Sequence, residues 1–201
     1  MSTTINDGTG NGFSAKVDSE NRLFTRSVSN TEYEFAITEG RSFNVNTEFI
    51  TIGTASPPTT ENAILYLKNN EDEDIIIVDW FIGTADSQGT ATDVGPLLKV
   101  YTNPSGGTIV SSGTDVVPVN RKVGDNNTFD ITVKKATSDG FTLTGQDTTP
   151  ILYQTQPSSG RVFVDGVYIS LQRGASIGVV FIPNGAEPVQ IYTGFQGFLV
   201  K

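Results

Sequence analysis

The chain has 201 residues, no cysteine, no histidine and a formal net charge of −9. This composition excludes disulfide bonds, metal sites built on Cys or His, thiol nucleophiles and every histidine-based catalytic triad. The acidic balance argues against a nucleic-acid partner, because a nucleic-acid binder needs basic side chains to neutralise phosphates.

Residues 1–30 are polar and rich in Gly, Ser, Asn and Thr, so they cannot form a core by themselves. We expect them to form an extended N-terminal arm, followed by a β-sandwich domain over residues 31–201. Weakly extended patterns in the arm predict these partner-binding residues: Phe13, Lys16, Arg22, Leu23 and Phe24. Residues 1–4 lack the features of a signal peptide, and no apolar run can span a bilayer. We therefore expect synthesis and folding in a cytoplasm, with no membrane partner.

The regular β pattern begins after an ambiguous stretch. Residues 32–39 fit either a short strand or one helical turn. From residue 43 onward, Phe43, Val45, Thr47 and Phe49 alternate with polar residues, which predicts a strand with one buried face.

The most apolar stretch predicts a central hairpin. Residues 64–68 and 75–82 are β-branched and aromatic, and they flank the Asn- and Asp-rich turn 69–74. Strict alternation places four residues of the second strand on the core face: Ile76, Val78, Trp80 and Ile82. The opposite face, with Ile75, Ile77 and Phe81, is also apolar. We therefore expect a second cover, either a loop, the arm or another subunit, and we infer self-association through this face.

The remaining elements predict further short strands. Residues 116–119 contain Pro118, which restricts them to an edge strand. Residues 161–171 keep one alternation, which favours a single long strand with a bulge at Gly166 over a hairpin turn. Residues 190–200 predict a terminal strand that pairs inside a sheet. About 9 to 11 strands and no convincing helix indicate an all-β, antiparallel, jelly-roll-like β-sandwich.

Acidic residues give two candidate sites, and neither has a specific pattern. The run at residues 71–74 offers oxygen ligands for Ca²⁺, but it lacks the alternation and central glycine of an EF-hand. A solvated hairpin tip explains it better. Glu32 with Glu34, or Asp79 with Asp165, have the chemistry of an acid–base pair, yet nothing in their spacing requires the members of either pair to meet. We therefore predict no metal, no cofactor and no enzymatic activity.

Two aromatic residues of the central hairpin, Trp80 and Tyr66, fit either a sugar-stacking platform or the core. Large aromatic side chains dominate hydrophobic cores, so we expect both to be buried.

One resemblance covers most of the chain. Its segments in order are DGTG (7–10), AKVD (15–18), NRL (21–23), EYE (32–34), Gly40, ILYLKNNE (64–71) and GASIGV (174–179). This arrangement resembles structural proteins of tailed-bacteriophage virions, and in particular small capsid decoration (cement) proteins with a sandwich core. The resemblance implies a homotrimer that binds the major capsid protein on the outside of a capsid, without active site or cofactor.

Two other functions remain open at this point. One is a head or tail fibre module that binds a receptor or glycan, although the sequence has no heptad or collagen-like shaft. The other is a carbohydrate-active enzyme, which requires two facing carboxylates in a cleft lined with aromatic residues.

Overall fold

The computed structural model describes residues 31–52, 61–85, 97–137, 142–150, 152–155, 160–182 and 189–200. The predicted N-terminal arm, residues 1–30, lies outside this set. The described residues form two short helices, α1 (Glu32–Thr38) and α2 (Thr108–Ser112). The first strands are β1 (Ser42–Asn46), β2 (Ile50–Ile52), β3 (Asn62–Asn69), β4 (Ile75–Ala85), β5 (Leu97–Thr102) and β6 (Thr114–Asp115). The others are β7 (Val119–Asn120), β8 (Ile131–Lys135), β9 (Leu152–Thr155), β10 (Gly160–Leu171), β11 (Ser176–Ile182) and β12 (Val189–Leu199).

Two antiparallel sheets pack face to face. Sheet I has the order β10-β4-β12-β1-β7, with β2 also paired to β12. Sheet II has the order β6-β8-β3-β11-β5-β9. The main hydrophobic core lies between the sheets and contains large, fully buried side chains such as Trp80, Phe43 and Phe181. The predicted antiparallel β-sandwich is confirmed.

The strand order is that of a jelly roll. Eight strands are divided between the sheets so that β1-β12-β4-β10 form four adjacent strands of sheet I, and β3-β11-β5-β9 form four of sheet II. The connection between β5 and β9 contains an insertion, residues 108–137, which carries α2 and the strands β6 to β8. It crosses to the opposite side of the sandwich and extends both sheets there, beyond β1 and beyond β3.

Helix α1 resolves the ambiguity at residues 32–39 in favour of the helical alternative, while the short helix α2 was not predicted from the sequence. Ala36 is fully buried, and Tyr33, three residues earlier, lies on the same side of the helix. Both pack on Val78 and Phe198, which lie on the outer face of sheet I. The helix forms because this outer face is apolar and needs a cover, which local propensity over seven residues does not reveal.

A β-bulge in β4 overturns the predicted face assignment. Gln196 pairs with Asp79, but Gly197 pairs with Ile77, so β4 has one extra residue at this point. Ile75 and Ile77 therefore enter the same core as Trp80 and Ile82. Ile76 and Val78 point outward to α1. Strict alternation failed because a bulge shifts the side-chain period by one residue.

The second apolar face of β4 is covered by the chain itself. Besides the contact with α1, Phe81 is only 2% exposed, and a Cβ at Gly194 would lie 2.3 Å from its ring. The glycine therefore leaves room for the Phe81 ring on β12. Ile75, Ile77 and Phe81 are therefore buried within the chain, so the exposed apolar face from which self-association was inferred does not exist at these three residues.

Trp80 lies in the core, as predicted. Its side chain is fully buried and stacks on Phe195 with a centroid distance of 6.3 Å. The indole Nε1 donates a 2.8 Å hydrogen bond to Thr193 Oγ1, which in turn donates to the Phe81 carbonyl at 3.0 Å. The polar atom of the largest core side chain is therefore satisfied.

The strand predicted from residue 43 ends earlier than its alternation suggested. Phe43, Val45 and Thr47 are fully buried, but Phe49 is 57% exposed. Glu48 has φ +58°, a left-handed conformation that turns the chain out of β1. Phe49 therefore packs edge-on against Tyr192 with a centroid distance of 4.9 Å, instead of entering the core.

The other strand predictions agree with the structure. Strand β10 is a single strand whose register shifts between Asp165 and Ile169, around the predicted bulge at Gly166. Strand β12 pairs with both β4 and β1 inside sheet I. The stretch around Pro118 lies between β6 and β7, which end sheets II and I respectively.

Replacement of Trp80 tests the core. We expect Trp80→Ala to lower the free energy of unfolding by about 3–5 kcal/mol, because it leaves a large cavity. Val123→Ala, at a fully exposed side chain, is the control and should change stability by less than about 0.5 kcal/mol. Denaturant melts measure both. The wild-type emission from this single Trp should be blue-shifted and poorly quenched by iodide; an unchanged melt with ready quenching would contradict the buried position.

Candidate docking surface

The insertion closes the sandwich on the side of β1 and β3. Strand β6 pairs with β8 in sheet II, and only a few residues later β7 pairs with β1 in sheet I. Val116 N still bonds to Val133 O in sheet II at 3.0 Å. Pro118 has no N–H to donate to a ladder, so the chain changes sheets here.

Apolar side chains concentrate on this crossing. Six large apolar side chains are strongly exposed among the described residues, and three of them fall within residues 117–123. Val117 is 79% exposed, Val119 64% and Val123 100%. Single exposed apolar residues are common, but a concentration in one segment makes that segment a candidate interaction surface. We call Val117, Val119 and Val123 the valine edge.

A lysine joins the two sheets beside the valine edge. Lys135 Nζ, from β8 of sheet II, donates to Thr47 O at 2.9 Å and lies 2.8 Å from Glu48 Oε2, both just after β1 of sheet I. The hydrogen bond from Lys135, together with its positive charge, lowers the pKa of the Glu48 carboxyl. Because the folded pKa is lowered, this contact stabilises the fold above the ordinary pKa and is lost as pH falls through the lowered one.

A cleft of about 440 Å³ opens between β1 and the crossing chain. Its lining includes three polar side chains of the β1 segment, Asn44, Asn46 and Glu48, together with Asp115 and Lys135. Val117 and Val119 of the valine edge also line it. The volume lies within the range of small-ligand pockets, about 300–1,000 Å³.

The edge of β1 is incomplete inside the cleft. The main-chain groups of odd-numbered residues in this segment bond to β12, as Thr47 N does to Thr193 O. Those of even-numbered residues face β7, as Ser42 O does when it accepts from Arg121 N. Strand β7 pairs only with Phe43 and Asn44. By this alternation, the main-chain N–H and C=O of Asn46 face the cleft, beyond the last residue of β1 that pairs with β7.

Side-chain contacts anchor the turn that carries Val123 to α1 and to β12. The Arg121 guanidinium lies 5.2 Å from the centre of the Tyr33 ring and donates to Gln196 Oε1 at 2.9 Å. Asp125 accepts from Asn127 N and lies 3.1 Å from Lys122 Nζ. Both contacts lower the pKa of the Asp125 carboxyl, and the hydrogen bond from Asn127 N contributes more than the contact with Lys122. The exposed valine is thus displayed on an ordered loop.

The acidic run 71–74 serves the turn between β3 and β4. The buried Asn69 donates from Nδ2 to Glu73 O and to Leu171 O, each at 2.9 Å. Glu71 accepts from Asp130 N at 2.6 Å, and Asp72 pairs with Arg173. Within the ranges that the structure describes, no group of three acidic side chains is placed to hold a metal ion.

The structure separates one of the two candidate carboxylate pairs and brings the backbone positions of the other together. Glu32 and Glu34 are both exposed on α1, and a separation of two residues puts them on different sides of a helix. The register of β10 and β4 places Asp165 opposite Asp79. Trp80 is fully buried and Tyr66 is 4% exposed, so neither offers a sugar platform.

A second polar cluster lies at the start of β3 and on β5. Lys99 pairs with Glu61, and Tyr101 Oη donates to Glu61 at 3.1 Å. The hydrogen bond that Lys99 donates to Glu61 raises the pKa of Lys99. Burial, and then the charge of Glu61, raises the pKa of Tyr101. Both groups therefore keep their protons at neutral pH, and neither can act as a general base there.

The predicted arm residues Phe13, Lys16, Arg22, Leu23 and Phe24 all lie outside the described residues. The valine edge was not predicted from the sequence. Pro118, which lies among Val116, Val117 and Val119, was a signal that the strand there is interrupted. No helix in the described part of the chain is long and apolar enough to cross a membrane. Comparison of the sequence with protein-family models and with curated proteins found no match.

Replacement of Lys135 tests the bridge between the sheets. We expect Lys135→Met to raise the pKa of Glu48 towards its ordinary value of 4.5, because the hydrogen bond and the charge are both lost. The neighbouring Lys134 pairs with Asp115 instead, so Lys134→Met is the matched control and should leave Glu48 unchanged. Carboxyl resonances followed by NMR during a pH titration give both values; an equal shift in the two variants would contradict this contact.

Proposed function

We propose that the protein is a structural component of a tailed-bacteriophage virion, which binds the outside of the capsid as a decoration protein. The valine edge carries this proposal. It is a rigid, exposed apolar segment at one side of a closed sandwich, which suits attachment to another protein. Its partner is then the major capsid protein, presented in many copies on a lattice.

Repetition on a lattice makes a small contact sufficient. A surface built on three valines and the neighbouring cleft is small compared with the interfaces of stable complexes, which bury about 1,200–2,000 Å². Many equivalent sites, or a homotrimer that engages several capsid subunits at once, raise the overall avidity without new contacts. The homotrimer and the capsid position come from the resemblance of the sequence.

The fold is compatible with this role. Jelly rolls occur in viral capsid proteins and in lectins, so the architecture alone leaves both classes open. The alternative, a fibre module that binds a glycan or receptor, loses support because Trp80 and Tyr66 are buried. These were the two aromatic residues that the sequence offered as a sugar-stacking platform, and such a platform needs an exposed aromatic face.

Attachment to particles tests the proposed function. We expect gold-labelled antibodies against the protein to mark the outside of capsids in electron micrographs of phage particles from cells that make the chain. The triple replacement of Val117, Val119 and Val123 by Asp should remove most of the label, because it puts charges into an apolar contact. Tyr168→Asp is the matched control, since Tyr168 is 74% exposed on β10, at the other end of sheet I. Label on tails, or equal loss in both variants, would reject the proposal.

Sedimentation equilibrium tests the oligomeric state. At micromolar concentration we expect the mass of a trimer, about three times the 21.5 kDa of the chain. The valine-edge triple variant should remain a trimer if this edge serves the capsid and not the subunit contacts. A monomer across the concentration range would contradict the proposed homotrimer.

A further inference from the structure

We propose that the cleft beside β1 binds a short extended peptide segment with a basic residue at its end. The segment would add to the incomplete edge of β1 at Asn46. This inference rests on the proposed function for the source of the segment, an extended stretch of the capsid protein, while the cleft chemistry stands on its own contacts.

The main chain of Asn46 favours an extended backbone as the ligand. Its N–H and C=O lie in the plane of sheet I and face the cleft, at the position where Val117 would pair if β7 continued. Pro118 and the bond from Val116 N to Val133 O hold the chain's own segment with sheet II instead. The position beside Asn46 is therefore not occupied by β7, and one residue of an added extended segment can pair there.

The unpaired oxygen of the Asn44 side chain indicates that the ligand carries a hydrogen-bond donor. Asn44 lines the cleft, and its Oδ1 is shielded from solvent without a hydrogen-bond partner among the described residues. A buried carboxamide oxygen is costly when it is left unpaired. A peptide N–H in the cleft, reached by a turn of the Asn44 side chain, would satisfy this atom.

The charged groups at the rim of the cleft favour a basic residue at one end of the bound segment. Two ion pairs flank the cleft, Lys135 with Glu48 and Lys134 with Asp115. In both, the lysine is only 20–22% exposed, whereas the carboxylates of Glu48 and Asp115 are 81% and 77% exposed. The lysines balance the charge of both pairs, but the carboxylates are the more exposed partners, so the rim presents carboxylate oxygens to an incoming chain. A Lys or Arg at the end of the segment complements this rim.

The apolar wall selects the central side chains. Val117 and Val119 also line the cleft, and both are strongly exposed. Val119 pairs with Asn44, so a segment with the small β-branched side chains of valine and threonine would meet apolar and polar groups on the same face.

An NMR titration of the full chain tests the inference. The probe is the blocked peptide Lys-Val-Thr-Val-Lys, added to ¹⁵N-labelled protein at low salt. We expect saturable shifts of the amide signals of Asn46, Val117 and Val119, since these line the cleft. The same peptide with N-methylated central residues should bind at least tenfold more weakly, because it cannot complete the ladder. A peptide with Glu in place of Lys should also bind more weakly, as the rim is acidic.

Two protein variants complete the test. Val117→Lys changes an exposed side chain, so the fold should persist, and we expect binding at least tenfold weaker. Tyr168→Lys, on β10, should bind like the wild type. Equal binding of the N-methylated peptide, or shifts confined to residues outside the cleft, would overturn the inference.

The outcomes separate this inference from the proposed function. Peptide binding by a protein that does not label capsids would support the cleft and reject decoration. Capsid labelling without any saturable peptide binding would leave decoration supported and overturn the peptide site.

Discussion

The bulge in β4 is the constraint on which the rest of the sandwich depends. With one extra residue between Ile77 and Trp80, the strand sends Ile75, Ile77, Trp80 and Ile82 into one core. The same shift turns Ile76 and Val78 outward. Without it, half of these side chains would lie on the wrong face, because a displacement by one residue reverses a strand. The helix α1 follows from this geometry, since it covers the apolar patch that the bulge leaves outside.

The polar network around Trp80 fixes how β12 and β1 meet β4. Thr193 Oγ1 accepts from the indole of Trp80 and donates to the Phe81 carbonyl. Thr193 N donates to Thr47 Oγ1, and Thr47 N donates to Thr193 O. Both threonines are fully buried, so each unmade bond would be costly. This network ends β1 at the turn where Lys135 of the other sheet binds, and thereby places the mouth of the cleft.

The candidate surface arises because part of the crossing segment pairs with sheet II and leaves the edge of β1 uncovered. The crossing segment cannot pair with both sheets, and Pro118 removes one donor at the point of decision. The result is an incomplete edge at Asn46 and three exposed valines on an ordered frame. An incomplete strand edge is usually a hazard that proteins cover or charge. Here the carboxylates of Glu48 and Asp115 supply charge at the rim, and the apolar surface remains open.

The sequence by itself determined the class of fold and most strands, because β-branched alternation and Gly or Pro turns are local signals. It also placed Trp80 in the core and the bulge in β10. Only the tertiary structure decided which face Ile76 and Val78 occupy, that residues 32–38 are helical, and that Phe49 leaves the core. It also decided that Val116 stays with sheet II while Val119 joins sheet I. These features depend on pairing with residues distant in the sequence, for which a local pattern carries no information.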